Sequence, residues 1–111
     1  MTSKKEYIPI AELTRLPHKR AIVTGGAMGI GLAISRRLAE AGAAVLIADK
    51  NEGAARQASH ELKEYGYETS FAVCDVGREE QVQNMVNAAI RTMGGIDILV
   101  NNAGIYPSIP L

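Results

Sequence analysis

The chain has 111 residues, 12 basic and 12 acidic, so its formal charge is zero; 47% of the residues are hydrophobic. That length supports one domain with a sizeable core, but it is short for a complete dinucleotide enzyme. Balanced charge without a basic patch or aromatic–basic interleaving excludes a nucleic-acid partner, and the single cysteine, Cys74, excludes an intrachain disulfide and fits a reducing, cytoplasmic compartment.

Residues 1–18 read as a charged arm broken by Pro9 and Pro17, without the apolar stretch of a signal peptide. The longest apolar run, residues 41–48, is far too short to cross a bilayer, so no membrane partner is expected. His18 and His60 stand apart from any metal-ligand spacing, so no metal site is expected. The domain proper is expected over 19–111.

Arg20-Ala21-Ile22-Val23-Thr24 reads as a buried strand. It runs into Thr24-Gly25-Gly26-Ala27-Met28-Gly29-Ile30-Gly31, after which Ile30, Ile34 and Leu38 recur at helical spacing up to Ala41, where Gly42 stops the helix. A strand turning through glycines into a helix points several N–H groups and the positive end of a helix dipole at one spot, which suits a phosphate. The glycines fall as G-x-x-x-G-x-G, which is neither G-x-G-x-x-G nor the Gly-Lys-Ser/Thr form.

Ala44-Val45-Leu46-Ile47-Ala48 is a wholly apolar strand of the kind buried on both faces of a parallel sheet. Asp49 follows, where a carboxylate can accept both hydroxyls of an adenine ribose and repel a 2′-phosphate; capping of the next helix is the alternative. Lys50 weakens the preference for NAD over NADP, and the uncharged Met28 restores part of it. Asn51 caps a second helix with Ala55, Ala58, Leu62 and Tyr65 on one face, ending near Gly66. Residues 69–73 form a third strand, after which Asp75 and Val76 can hold an adenine edge and face, or simply form a polar turn. A third helix over about 78–93 has Gly77 at its N-cap and a stripe of Val82, Met85, Val86, Ala89, Ile90 and Met93, and Gly94-Gly95 closes it. Ile96 to Val100 is the fourth strand and runs into Asn101-Asn102-Ala103-Gly104. There, small residues let a ribose approach while the asparagines satisfy loop backbone groups.

This β-α-β-α-β-α-β order calls for an α/β fold: a doubly wound parallel sheet, partial, with four strands in the order 3-2-1-4. The first two helices should cover one face and the third the other. Ile98-Leu99-Val100 should form an open edge that favours self-association. The glycine loop, Asp49, Asp75 and the asparagines all fall at C-terminal strand ends, around the switch point between strands one and four.

T-G-x-x-x-G-I-G at 24–31, the acid at 49, D-V at 75–76 and N-N-A-G at 101–104 together resemble the short-chain dehydrogenases/reductases, from about residue 19 to the C-terminus. The resemblance implies a Rossmann fold, a nicotinamide cofactor and hydride transfer between an alcohol and a carbonyl compound. It places Gly25, Met28, Gly29, Ile30 and Gly31 in the pyrophosphate loop, Asp49 on the adenosine ribose and Asp75 and Val76 on the adenine. Asn102, Ala103 and Gly104 would approach the cofactor's riboses. NAD is expected over NADP.

The family's proton-transfer groups are a Ser and a Tyr-x-x-x-Lys on later elements. Four positions beyond Tyr7, Tyr65, Tyr67 and Tyr106 stand Ala11, Thr69, Phe71 and Pro110, so none qualifies and no catalytic residue is assigned. The chain thus resembles the N-terminal, cofactor-binding half of such an enzyme and is expected to be inactive alone. Its full-length parent would take a small alcohol or carbonyl substrate and assemble as a homo-oligomer. The alternative is a non-catalytic, NAD-sensing or partner-regulated nucleotide-binding module. A Rossmann-like methyltransferase accounts for the glycine loop and the acid after strand two but gives no reason for 101–104.

Overall fold

Strand β1 (Arg20–Thr24) must satisfy two neighbours and two faces at once, and its composition follows from that. It pairs in parallel with β2 (Ala44–Asp49) on one side and with β4 (Ile98–Asn101) on the other; β3 (Thr69–Val73) adds outside β2. The sheet order is β3-β2-β1-β4, the doubly wound, Rossmann-like order read from the sequence. The computed structural model describes residues 16–102, so the expected arm up to residue 15 lies outside the described residues.

Three helices connect the strands: α1 (Gly29–Glu40), α2 (Glu52–Glu64) and α3 (Glu79–Met93). The chain steps from β1 to β2 to β3 in one direction and then back across β1 to β4. With one crossover hand, that reversal sends α3 to the opposite face from α1 and α2. The core divides accordingly. Val23, Val45 and Ile47 pack with Ala39, Ala55, Ala58 and Leu62 under α1 and α2. Ile22, Leu46 and Ala48 pack with Met85 and Ala89 under α3. Each fully buried Val, Leu or Ile side chain in β1 and β2 contributes roughly 1.5–3 kcal/mol.

Helix ends follow their local chemistry. The Asn51 side chain accepts the Ala54 N–H at 3.0 Å and caps α2. Gly94 ends α3 in the left-handed region at φ +86°.

Several boundaries and faces differ from the sequence expectation. The N-cap of α3 is Arg78, not Gly77, and β4 begins at Ile98, not Ile96. Asp97 is occupied instead in an ion pair with Arg20, and Ile96 packs against the core under α3. On α1 the buried residues are the small ones, Gly31, Ser35 and Ala39, because they let the helix axis come close to the sheet. Ile34 and Leu38 flank that contact half-buried, and Ile30 is 74% exposed. Tyr65 lies past the end of α2, where it stacks on Tyr67 with Arg36 over its ring, rather than on the buried face. Ile90, assigned to the buried stripe of α3, is exposed.

At the N-terminal end of the sheet, Asp97 clasps Arg20. Its Oδ2 accepts both the Arg20 backbone N–H and Nε at 2.9 Å, and its own N–H donates to the Arg20 carbonyl at 2.8 Å. These bonds from Arg20 hold the Asp97 carboxyl below the usual carboxylate range. The contribution to stability is therefore complete above about pH 3.9, the unfolded carboxylate value, and is lost as pH falls through the lowered folded value. Urea midpoints should fall more steeply on acidification below that pH in the wild type than in Asp97→Asn. Leu99 of β4 is 61% exposed, and among the described residues no strand pairs with the outer edge of β4. An exposed leucine on an edge strand invites association, so Leu99→Lys should keep the chain monodisperse by light scattering at concentrations where the wild type self-associates.

Candidate functional site

The site forms where β1 ends. Gly25 and Gly29 turn the chain with φ of +63° and +56°, a region that L side chains rarely adopt. Three consecutive loop residues then have a backbone group engaged by a side chain from a different element. Asn102 Nδ2, just past β4, donates to the Gly25 carbonyl at 3.2 Å. Ser35 Oγ, fully buried on α1, lies 3.3 Å from the Gly26 carbonyl oxygen and 2.9 Å from that of Gly31. Asp49 Oδ2, at the end of β2, accepts the Ala27 N–H at 3.3 Å.

These bonds tie the loop's carbonyls toward the protein. The helix that follows begins at Gly29, and Met28 at its N-cap provides no side-chain cap. First-turn N–H groups of a helix have no intrahelical acceptor, so the start of α1 collects donors and the positive dipole end without an opposing carboxylate in its first turn. The glycines make the geometry possible. A Cβ at Gly31 would run into the Gly25 carbonyl oxygen and lie 2.7 Å from Asn102 Nδ2. At Gly26 it would lie 2.8 Å from the Val23 carbonyl oxygen. At Gly29 nothing lies within 4 Å, so the surface there is open. Met28 and Ile30, 59% and 74% exposed, flank that opening as apolar shoulders.

Asp49 is half-buried, and each of its oxygens already holds one N–H, Oδ1 that of Asn51 at 3.0 Å and Oδ2 that of Ala27. A carboxylate retains further lone pairs for two hydroxyls. Lys50 beside it is exposed. Asp75 Oδ1 accepts the Gly77 N–H at 2.9 Å, forming the polar turn that was the alternative at that position. Its own N–H goes to Gln81 Oε1 at 2.8 Å, and Val76 packs half-buried against the core under α3. Cys74, 3% exposed, donates its N–H to the Asp49 carbonyl and so links the ends of β2 and β3. Burial, with Asp75 next to it, pushes its thiol pKa up, which keeps it protonated and unreactive.

Gly25, Gly29, Gly31, Asp49 and Asn102 thus gather around one turn, with Asp75 and Val76 one strand further along the same edge. Ala103 and Gly104 lie outside the described residues. Sequence reasoning missed Ser35 and Gln81. The signal for the first is the i, i+4, i+8 spacing of the small residues Gly31, Ser35 and Ala39 on α1. An open cleft of about 1290 Å³ lies at the opposite end of the sheet around Leu16, Lys19, Glu40 and Gly42, away from these groups. Among the described residues no three His, Cys, Asp or Glu side chains are grouped as a metal ion would need, and no helix is long and apolar enough to cross a membrane.

The profile of the short chain dehydrogenase family matches residues 19–111. The chain is 45% identical over 94 residues to 3beta-hydroxysteroid dehydrogenase 2 of Eggerthella lenta, covering 85% of this chain and 36% of that protein. It is 47% identical over 94 residues to L-fucose dehydrogenase of Bos taurus, covering 85% and 33%. The chain therefore spans about a third of the length of these curated relatives. A crystal structure of a short-chain type dehydrogenase/reductase from Mycobacterium marinum superposes with a TM-score of 0.83 at 34% identity, over 93% of this chain and 44% of that one. Loop, strand order and relatives agree: the chain belongs to the short chain dehydrogenase family.

Proposed function

We propose that this chain is the NAD(H)-binding part of an oxidoreductase that moves hydride between a nicotinamide cofactor and an alcohol or carbonyl substrate. The observation that carries the proposal is the Asp49 carboxylate, half-buried beside a glycine loop whose carbonyls are tied back and whose following helix lacks a side-chain cap. An anionic pyrophosphate fits the donor-rich loop at Gly25, Met28, Gly29, Ile30 and Gly31, and the open surface at Gly29 leaves room for it. Asp49 would accept the hydroxyls of the adenosine ribose and disfavour a 2′-phosphate by repulsion. Asp75 and Val76 would meet the adenine, and Asn102, Ala103 and Gly104 the riboses. When bound, the nicotinamide supplies the hydride chemistry; these residues bind and orient it.

The names of the two relatives point to substrates as different as a hydroxysteroid and a sugar, and alcohol oxidation is what those names share. The substrate class proposed here is accordingly a small-molecule alcohol or its carbonyl partner, with no catalytic residue assigned within these 111 residues.

Calorimetric titration should give tighter binding of NADH than of NADPH, and Asp49→Ala should narrow that difference by about tenfold or more, the worth of a charge-assisted hydrogen bond. Tighter NADPH binding by the unmutated chain would overturn the cofactor assignment. Gly29→Val should abolish NADH binding while far-UV circular dichroism stays close to wild type. Its stability cost, about 1–3 kcal/mol, would come from the positive φ rather than from crowding, because a Cβ there meets no protein atom. Unchanged NADH affinity in that variant would place the phosphates elsewhere.

A further inference from the structure

The last two residues of β2 hold consecutive N–H groups of the glycine loop. The Ala48 carbonyl accepts the Gly26 N–H at 3.2 Å, and the Asp49 carboxylate accepts the Ala27 N–H at 3.3 Å. Ala27 is 5% exposed, so water cannot readily replace an acceptor lost there. The other Asp49 oxygen holds the Asn51 N–H at the cap of α2. The carboxylate thus bridges the loop and the following helix.

We infer that Asp49 is a positioning residue for the glycine loop, acting through the Ala27 amide, in addition to the ribose contact proposed above; the ligand arm of its test rests on that proposal. Ala27 immediately precedes Met28 and Gly29, which open α1, so the Ala27 bond fixes where the first-turn donors of that helix point. Hydroxyls bound on the remaining lone pairs of Asp49 would then act on the same carboxylate that sets the phosphate end of the site. An asparagine cannot replace it. One carbonyl oxygen satisfies one of the two N–H donors, and its NH2 group faces the other.

Amide hydrogen exchange of the 15N-labelled chain tests the inference without ligand. Ala27 should exchange about tenfold faster in Asp49→Ala than in the wild type, and in Asp49→Asn either Ala27 or Asn51 should do so. Ile22 and Leu46, in the core, serve as the folding control and should keep their protection; a variant that loses it is set aside for the other. Wild-type exchange at Ala27 in folded Asp49→Ala, or at both Ala27 and Asn51 in folded Asp49→Asn, overturns the inference. Inorganic pyrophosphate, which carries no ribose, provides the ligand arm. If Asp49 were only a neighbouring negative charge, its removal would leave pyrophosphate affinity unchanged or raise it. A loosened loop instead lowers it several-fold in Asp49→Ala; where the wild type binds pyrophosphate, an unchanged or raised affinity in that variant overturns the inference. Failure of the wild type to bind pyrophosphate and NADH, with Ala27 exchange still responding, removes the proposed function and leaves the positioning role. NADH binding with an unresponsive Ala27 does the reverse.

Discussion

Everything in this fold depends on β1 being hydrogen-bonded along both edges and covered on both faces. Ala21, Ile22 and Val23 are wholly inaccessible to solvent. A strand in that position cannot carry a polar side chain in its middle without leaving it unpaired. Polar groups are therefore pushed to its two ends, and both ends are used. At the N-terminal end Arg20 meets Asp97; at the C-terminal end Thr24 Oγ1 lies 3.3 Å from the Val100 carbonyl and 3.2 Å from Asn101 Oδ1. The register of β4 against β1 is thus pinned twice, 76 or 77 residues away in sequence. A shift by one residue would turn the side chains of β4 to the opposite face.

That double pinning delivers Asn102 to the glycine loop. With Thr24 opposite Asn101, the next residue of each chain is the one that turns away from the sheet, and the Asn102 amide reaches the Gly25 carbonyl. Gly31 fits against the same carbonyl only because it lacks a side chain. The loop is therefore built by three chain segments, and each contributes one side chain to one backbone group. Its donors are left over by this arrangement rather than added to it: the carbonyls have partners inside, and the start of α1 has none from a side chain.

The architecture was legible in the sequence because its signals are local and repeated. Ala44 to Ala48 is apolar at every position, which only a strand covered on both faces requires, and the alternation of such runs with helical stripes dictates the sheet order. Asn51 and Gly94 announced helix ends through chemistry that acts within one turn. What escaped is non-local. Nothing near Asp97 shows that it will be withdrawn from β4 to clasp Arg20. Large residues at helical spacing suggested Ile30, Ile34 and Leu38 as the contact face of α1, but close approach to the sheet favours the smallest residues, so Gly31, Ser35 and Ala39 lie beneath. Asp75 has two roles by sequence, and its bond from the Gly77 amide supplies the turn without bearing on the adenine contact proposed above.

The lone thiol gives the molecule a built-in reporter. Cys74 sits at the end of β3 with its N–H on the Asp49 carbonyl, shielded from solvent and kept protonated by burial. A maleimide or aromatic disulfide reagent can attack only after the packing of this end of the sheet beneath α3 has opened. Where reclosing outpaces modification, the labelling rate tracks the equilibrium between closed and open forms; where modification is faster, it tracks the opening step itself. With no second cysteine in the chain to confuse the signal, one absorbance trace reads how often this end of the sheet opens.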